Sequence, residues 1–284
     1  MSVNKIKEVA VLGAGVMAPQ IAYLFLKHGF KVVLWDPFIH QAAINYIEGK
    51  SAKELQRKRI TQEQRDAICG NFSASDAIEI ISNANLVIEA VKEDENIKRD
   101  VYLKVGKVVA NNAVVASNTS SFSINKLSSY VKDPSRFLGM HYFNPVESLE
   151  LIEIVPGDNT TKETIDVITR LTEELGKMAV LTKDSPGFVV NRILIPMINE
   201  AANMIDKGVA SAEDIDKAMR LGANHPLGPL ALGDLIGLDV CLTIMESLVK
   251  EGKYEISSLL RKLVSEGLLG RKSNKGFFEY QKQK

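Results

Sequence analysis

Residues 8–18, EVAVLGAGVMA, decide the fold, because an apolar run passes directly into a glycine-rich turn that opens a helical segment. Gly13, Gly15 and Ala18 occupy the small-residue positions of a dinucleotide-binding fingerprint. The first glycine permits the tight turn, the second lets the backbone approach a pyrophosphate, and the third position keeps helix and strand close. Ala18 satisfies the relaxed form of the motif. The stretch therefore predicts a strand, a turn and a helix that bind a dinucleotide.

Asp36 strengthens this prediction, because it ends the next apolar run, 23 residues after Gly13. A carboxylate at this position accepts hydrogen bonds from the adenosine ribose hydroxyls and repels a 2′-phosphate, which favours NAD over NADP. The alternative is a strand-end aspartate that caps a turn before Pro37. We expect NAD to be the cofactor.

Up to Lys183, short apolar runs alternate with longer segments of helical period. This alternation predicts a mainly parallel sheet with helices on both faces. The runs lie at residues 9–12, 31–35, 86–90, 114–116, 137–140, 151–155 and 178–181. After Lys183 this alternation stops, and from Gly187 onward the pattern is helical. We therefore predict an α/β, Rossmann-type doubly wound domain over residues 1–183 and an all-helical domain over residues 184–284.

A charged segment, residues 38–71, separates the second of these runs from the third. Its pattern predicts a helical pair inserted into the sheet topology. The segment carries a cluster of basic side chains: Lys50, Lys53, Arg57, Lys58 and Arg59. They indicate either a local anion site or an ordinary solvated helix face.

The overall composition limits the classes of partner. Basic and acidic side chains each number 35, so the formal charge is zero and no global basic field is available for nucleic acid or membrane. Cys69 and Cys241 are far apart and form no ligand pattern, so we expect neither a disulfide nor a metal site. No apolar stretch approaches the roughly 18 residues of a membrane helix. The N-terminus reaches an apolar run too early for a signal peptide, and we expect a cytoplasmic protein.

His141 lies at the end of an apolar run, in GMHYFNP, where open parallel sheets place groups that contact ligands. An imidazole can exchange a proton near neutral pH, as oxidation of an alcohol requires. A lone histidine is more often structural, but Glu153 interrupts the apolar run LIEIV 12 residues later. A buried carboxylate is costly without a partner. An adjacent strand could bring Glu153 to His141.

Five motifs occur in the order found in 3-hydroxyacyl-CoA dehydrogenases, and the chain resembles that family over essentially its whole length. The motifs are SNTSS, HYFNP, LIEIV, DSPGFVVNR and GPLALGDLIGLD. The resemblance implies that His141 is the catalytic acid/base and that Glu153 orients and polarises it. It also implies that Ser120 and Asn191 position the 3-oxygen of the substrate.

The resemblance further implies contacts with the cofactor beyond the glycine turn. Glu93 and Lys98, in EAVKEDENIK, match residues near the nicotinamide half, and Asn118 matches another in SNTSS. Each has an ordinary alternative: Asn118 could close a turn, and Lys98 could pair with Asp94 across one helical turn.

The inserted helical pair resembles the family's coenzyme A-binding segment, and Arg57 is the leading candidate for a phosphate contact. The chain departs from the family pattern here, because RKRIT replaces the usual lysine-glycine-lysine. The usual HFFNPVPVMKLVE reads HYFNPVESLELIE, which adds Glu147 and Glu150, and Ala18 replaces the usual glycine. These departures leave the acyl preference open.

The resemblance as a whole implies an NAD-dependent L-3-hydroxyacyl-CoA (3-hydroxybutyryl-CoA) dehydrogenase, an acyl-CoA substrate, a homodimer, and a place in fatty-acid β-oxidation or butanoate metabolism. One alternative is a related dehydrogenase that acts on a free hydroxy acid, although the basic insertion favours the thioester. Another is a protein that binds the nucleotide without turnover. The intact set of Ser120, His141, Glu153 and Asn191 argues against that second alternative.

Overall fold

The computed structural model describes residues 6–250, 252 and 254–281. The chain divides into two compact units, Met1–Asp184 and Ser185–Lys284. The first five residues, on which part of the expectation about the N-terminus rests, lie outside the described residues.

The first unit is built on a single sheet. Its strands are β1 (Glu8–Leu12), β2 (Lys31–Trp35), β3 (Phe72–Ser75), β4 (Leu86–Glu89), β5 (Val114–Ser117), β6 (Phe137–Tyr142), β7 (Leu151–Pro156) and β8 (Met178–Leu181). Their order across the sheet is β3-β2-β1-β4-β5-β6-β7-β8. Neighbouring strands are parallel except β6 and β7, which are antiparallel. The predicted mainly parallel, doubly wound sheet is confirmed.

One strand was missed by the sequence analysis. β3 has the sequence FSAS, in which small polar side chains replace the expected apolar run, and its residues are half-buried or exposed at the edge of the sheet. It pairs with β2 in parallel, with Val32 opposite Phe72. An edge strand needs less apolar surface than a central one, so composition alone did not reveal it.

Helices cover both faces of the sheet, and the core lies in two layers. Val9 and Val11 of β1 belong to one buried cluster, whereas Ala10 and Leu12, which point to the opposite face, belong to another. The helices of this unit are α1 (Met17–Lys27), α2 (His40–Gln56), α3 (Gln62–Gly70), α4 (Glu95–Val108), α5 (Ile124–Ser128) and α6 (Lys162–Glu174). α2 and α3 form the predicted inserted pair.

The second unit is helical, as predicted. Its helices are α7 (Val190–Asp206), α8 (Ala212–Gly222), α9 (Pro229–Ile236), α10 (Leu238–Val249) and α11 (Ser258–Ser265). The buried Asp234 carboxylate accepts hydrogen bonds from the Phe277 and Phe278 amides and the Tyr280 hydroxyl, which fixes the C-terminal segment on α9. Among the described residues, no helix combines the length and apolar character needed to span a membrane.

Candidate active site

The turn between β1 and α1 has the geometry that the glycine fingerprint requires. Gly13 has a φ of 102°, and a Cβ built there would lie 2.7 Å from the Ala90 carbonyl oxygen. Gly15 is exposed, and a Cβ there would meet no atom within 4 Å, so its backbone is open to a ligand. Ala18 is completely buried in the core beneath. These residues fit a dinucleotide pyrophosphate at the start of α1.

Asp36 is half-buried after β2 and braces two turns. Its Oδ2 accepts a hydrogen bond from the Ala14 amide at 3.0 Å, and its Oδ1 accepts from the Phe38 and Ile39 amides at 2.8 Å each. Asp36 therefore does cap a turn, as the alternative interpretation of the sequence proposed. A carboxylate offers about four acceptor positions, so Asp36 keeps capacity for a further hydroxyl donor.

His141 and Glu153 face each other across the antiparallel pair of β6 and β7, in direct register. The His141 Nδ1 and the Glu153 Oε2 are 2.7 Å apart. His141 is 5% exposed and Glu153 is fully buried, so the carboxylate is withdrawn from water and bonded to the imidazole. The Phe143 ring packs against His141 at a centroid distance of 4.5 Å. This arrangement fixes the orientation of the imidazole.

Asn118 links the ends of three strands beside His141. Its amide donates to the Glu89 carbonyl oxygen at 2.8 Å, and its side-chain Oδ1 accepts from the Tyr142 amide at 2.9 Å. Asn118 thus joins β4, β5 and β6 and is more than a local turn residue. Ser120 follows two residues later and is half-buried.

Glu93 and Lys98 meet at the carboxyl end of β4, with a third residue that sequence reasoning missed. Lys98 Nζ lies 2.7 Å from Glu89 Oε1 and 3.5 Å from Glu93 Oε1. The Lys98 side chain is 1% exposed, and the Asp94 carboxylate caps α4 by accepting from the Asn96 and Ile97 amides. The alternative Lys98–Asp94 pair is therefore wrong. The signal for Glu89 was an acidic residue at the end of the apolar run LVIE.

Glu147, one of the two added acids, lies in the connection between β6 and β7 and turns toward the inserted helices. Its carboxylate pairs with Lys50 of α2 and, at 3.3 Å, with Lys27 of α1. The buried ammonium of Lys177 donates to three carbonyl oxygens of the same connection, those of Val146, Glu147 and Leu149. The ion pair between Lys50 and Glu147, one of the residues that depart from the family pattern, stabilises the position of α2.

Two predicted residues lie elsewhere in the chain. Arg57 is exposed at the C-cap of α2, beside the positive-φ residue Lys58. Asn191 lies in the first turn of α7, in the second unit, and is buried.

A doubly wound sheet with a glycine turn at its switch point and a histidine–carboxylate pair at the end of a neighbouring strand defines the class of nicotinamide-dependent dehydrogenases. Two family models match the chain. The 3-hydroxyacyl-CoA dehydrogenase NAD binding domain matches residues 8–185, and the 3-hydroxyacyl-CoA dehydrogenase C-terminal domain matches residues 187–280. The chain belongs to the 3-hydroxyacyl-CoA dehydrogenase family, an NAD-dependent oxidoreductase family acting on CH-OH groups.

Known proteins resemble the chain over nearly its whole length. A probable 3-hydroxybutyryl-CoA dehydrogenase of Deinococcus radiodurans is 42% identical, with 95% of this chain and 99% of that protein aligned. A 3-hydroxybutyryl-CoA dehydrogenase of Clostridioides difficile is 42% identical over 97% of this chain and 100% of that protein. The crystal structure of the (S)-3-hydroxybutyryl-CoA dehydrogenase of Ralstonia eutropha superposes with a TM-score of 0.93 at 38% identity, covering 98% and 100% of the chains.

Proposed function

We propose that the protein interconverts the 3-alcohol and 3-ketone of a short (S)-3-hydroxyacyl-CoA thioester, with His141 as acid/base and Glu153 as its partner. The observation that carries the proposal is the buried 2.7 Å contact between Nδ1 of His141 and Glu153, opposite each other on β6 and β7. The substrate class is supported by the names of relatives that align with this chain along almost its full length.

The His141–Glu153 pair supplies the proton chemistry. Bound NAD supplies the hydride acceptor at its nicotinamide ring. In the oxidative direction, His141 takes the proton of the 3-hydroxyl group through its imidazole, and Glu153 stabilises the imidazolium that forms. In reduction His141 returns the proton. Ser120 and Asn191, by the family resemblance, hold the substrate oxygen so that proton transfer occurs in one geometry.

The cofactor contacts divide between the strand ends of the first unit. Gly15 leaves the backbone open to the pyrophosphate, while Gly13 allows the tight turn and Ala18 the close packing beneath it, and Asp36 is assigned to the adenosine ribose. Glu93, Lys98 and Asn118 are assigned to the nicotinamide half. We assign residues 1–183 to this cofactor-binding role and residues 184–284 to substrate binding and dimerisation.

A homodimer and a cytoplasmic location remain part of the proposal. The dimer is proposed from the family resemblance, and Ile193, Val209, Leu221 and Leu235, which expose more than half of their surface in the second unit, are candidates for its interface. Light scattering on the purified protein tests the dimer: a mass of twice 31.3 kDa supports it, and the mass of one chain overturns it.

The reaction is tested by NADH consumption with acetoacetyl-CoA, comparing the wild type with His141→Gln. We expect the substitution to lower kcat by at least about a hundredfold while leaving NADH affinity nearly intact. His28→Gln, on the C-cap of α1, is the matched control and should retain wild-type turnover. Retention of more than half of the turnover by His141→Gln would remove His141 from the mechanism.

The thioester assignment is tested with three substrates: acetoacetyl-CoA, acetoacetyl-pantetheine and free acetoacetate. Contacts remote from the reacting carbon can raise kcat as well as affinity, so we expect the full thioester to react fastest and free acetoacetate to be almost inert. Fast reduction of free acetoacetate would favour a hydroxy-acid dehydrogenase. Tight NADH binding without turnover of any of the three would favour a non-catalytic protein.

Arg57→Ala tests the coenzyme A contact on the inserted pair. It should lower kcat/KM for acetoacetyl-CoA by about ten- to a hundredfold, as loss of one charged hydrogen bond implies, and barely affect the pantetheine substrate, which lacks the nucleotide phosphates. Arg170→Ala, an exposed arginine on α6, is the matched control. Equal losses on both substrates would refute the role of Arg57.

A further inference from the structure

The Glu89 carboxylate is completely buried at the last residue of β4, and four donors bond it. Oε1 accepts from Lys98 Nζ at 2.7 Å and the Val91 amide at 2.9 Å. Oε2 accepts from the Tyr102 and Ser117 hydroxyls, each at 2.7 Å. Such complete bonding is what allows a charged carboxylate to remain inside a protein.

Lys98 joins Glu89 to a second carboxylate, that of Glu93. The Glu93 side chain is 33% exposed and also accepts from the Thr119 hydroxyl at 2.8 Å. The cluster of Glu89, Lys98 and Glu93 therefore holds two negative charges and one positive charge. Because Glu89 and Lys98 are both buried and neutralise each other, the remaining negative charge resides on Glu93, the member open to solvent.

The position of the cluster relates it to the cofactor. Ala90, the residue after Glu89, touches the glycine turn at Gly13, and the Glu89 carbonyl oxygen accepts from the Asn118 amide. Asn118 in turn bonds the Tyr142 amide, next to His141. The cluster thus lies between the pyrophosphate turn and the imidazole. If His141 acts as proposed above, the nicotinamide must lie in this interval to exchange a hydride with the substrate carbon.

The two redox forms of the cofactor differ in charge at that ring, since the nicotinamide is cationic in NAD⁺ and neutral in NADH. We propose that Glu89, by neutralising Lys98, leaves the Glu93 charge uncompensated and so favours binding of NAD⁺ relative to NADH. Without Glu89, the positive charge of the Lys98 ammonium would neutralise the negative charge of Glu93. Glu89 is in this sense a positioning residue that acts on the cofactor through Lys98 and Glu93, and it contacts neither substrate nor reacting atoms.

A purely structural role for Glu89 predicts something different. Loss of a structural counter-ion weakens NAD⁺ and NADH binding equally, or lowers stability alone. Loss of the proposed role changes the ratio of the two dissociation constants. The ratio is therefore the decisive quantity, and other nearby charges, such as the Lys126–Glu95 pair, cancel in the comparison because no variant alters them.

The experiment is equilibrium titration of the full chain with NAD⁺ and with NADH, by calorimetry, for the wild type and three variants. Glu89→Gln and Glu93→Gln each remove one negative charge, and each should lower the preference for NAD⁺ by about fivefold, the order expected for one partly screened unit charge. Glu89→Gln/Lys98→Met removes the buried pair but leaves the net charge at minus one. Its ratio should stay within about twofold of the wild type.

These arms remain decisive if Glu89→Gln fails to fold, because Glu93 is exposed and the double variant replaces the buried ion pair by neutral side chains. Equal ratios in Glu93→Gln and the wild type, or a double-variant ratio displaced as far as that of Glu93→Gln, would overturn the inference. Absence of binding of either form by the wild type would instead count against the cofactor arrangement of the proposed function. Tight binding with unchanged ratios refutes the role of Glu89 alone.

Discussion

Glu89 and Glu153 are two completely buried carboxylates in the same sheet, but their bonded groups differ in chemistry. Glu89 is bonded by an ammonium, a phenol, a hydroxyl and an amide. Burial, together with the charge of Glu89, raises the pKa of the Tyr102 phenol well above its ordinary value, so this donor stays protonated. Glu153 bonds the imidazole of His141, a group that exchanges protons near neutral pH.

In the two roles proposed above, Glu89 maintains a fixed charge, whereas Glu153 accompanies a proton that moves to and from His141. Around Glu89, the Tyr102 phenol keeps its proton, and the Ser117 hydroxyl and the Val91 amide are donors without an acid–base function. Glu153 instead faces an imidazole, the group that gains and loses a proton in the proposed mechanism. Burial alone therefore assigns no role to either carboxylate, and the two proposed roles rest on the chemistry of the bonded partners.

Glu89→Gln should have the largest effect on stability. It leaves the buried Lys98 ammonium without its counter-ion, and we expect the free energy of unfolding to fall by about 3–5 kcal/mol. Chemical denaturation followed by fluorescence of Trp35, the single tryptophan, reports on this unit directly. Glu89→Gln/Lys98→Met should recover most of the loss. A decrease of less than about 1 kcal/mol in Glu89→Gln would mean that the Glu89–Lys98 ion pair contributes little to the stability of this unit.

Glu153→Gln should have its main effect on turnover. A neutral amide cannot stabilise the imidazolium as a carboxylate does, so kcat should fall by about a hundredfold and the pH dependence of kcat should shift. NADH affinity should stay close to that of the wild type. Glu150→Gln, an exposed acid just before β7, is the matched control and should leave both unchanged. An unaltered pH–rate profile in Glu153→Gln would count against the pairing.

Asp36 extends the comparison to a half-exposed carboxylate. Asp36→Asn removes the repulsion of a 2′-phosphate but can keep the cap on the Phe38 and Ile39 amides, so the NADH preference in kcat/KM should narrow by about tenfold. Asp36→Ala should narrow it similarly and also lower the free energy of unfolding by about 1 kcal/mol, because the cap is lost. Equal kcat/KM for NADH and NADPH in the wild type would contradict the assignment.

The smallest effect on the free energy of unfolding is expected at a buried hydroxyl that bonds neither Glu89 nor Glu153. The Tyr142 hydroxyl, next to His141, has no hydrogen-bond partner in the part of the chain that the structure describes. Tyr142→Phe should therefore leave the free energy of unfolding unchanged or raise it by up to about 1 kcal/mol. Tyr102→Phe is the control, since its hydroxyl bonds Glu89, and it should lose about 1.5–3 kcal/mol. A comparable loss in Tyr142→Phe would show that its hydroxyl has a partner.

The sequence predicted the central strands and the glycine turn because their signals are local. A strand that is buried on both faces requires consecutive apolar residues, as in β1, and a turn at positive φ favours glycine, as at Gly13. β3 escaped because an edge strand does not require an apolar run. The prediction of a helical pattern from Gly187 onward also rested on local evidence, the spacing of apolar residues along one segment.

The candidate site was only partly predictable, because its contacts depend on register. Glu153 was predicted as a site residue because it interrupts the apolar run LIEIV shortly after a histidine. Glu89 also ends an apolar run, LVIE, but no histidine lies near it in the sequence, so it was not predicted. Lys98 showed a plausible partner one turn away in Asp94, but its actual partner lies on β4. Glu147 likewise finds Lys27 and Lys50 far away in sequence. None of these long-range pairs follows from spacing along one element.

The register between β6 and β7 determines which side chain faces His141. His141 opposes Glu153 in the register of β6 and β7, and a shift of one residue would place an isoleucine opposite the imidazole and reverse the faces of one strand. Lys177 bonds only main-chain oxygens of the connection between the two strands, which every amino acid supplies. Glu147 and Glu150 show that single side chains of the connection can differ from the family pattern, whereas a one-residue slip of β7 against β6 would remove the carboxylate opposite His141.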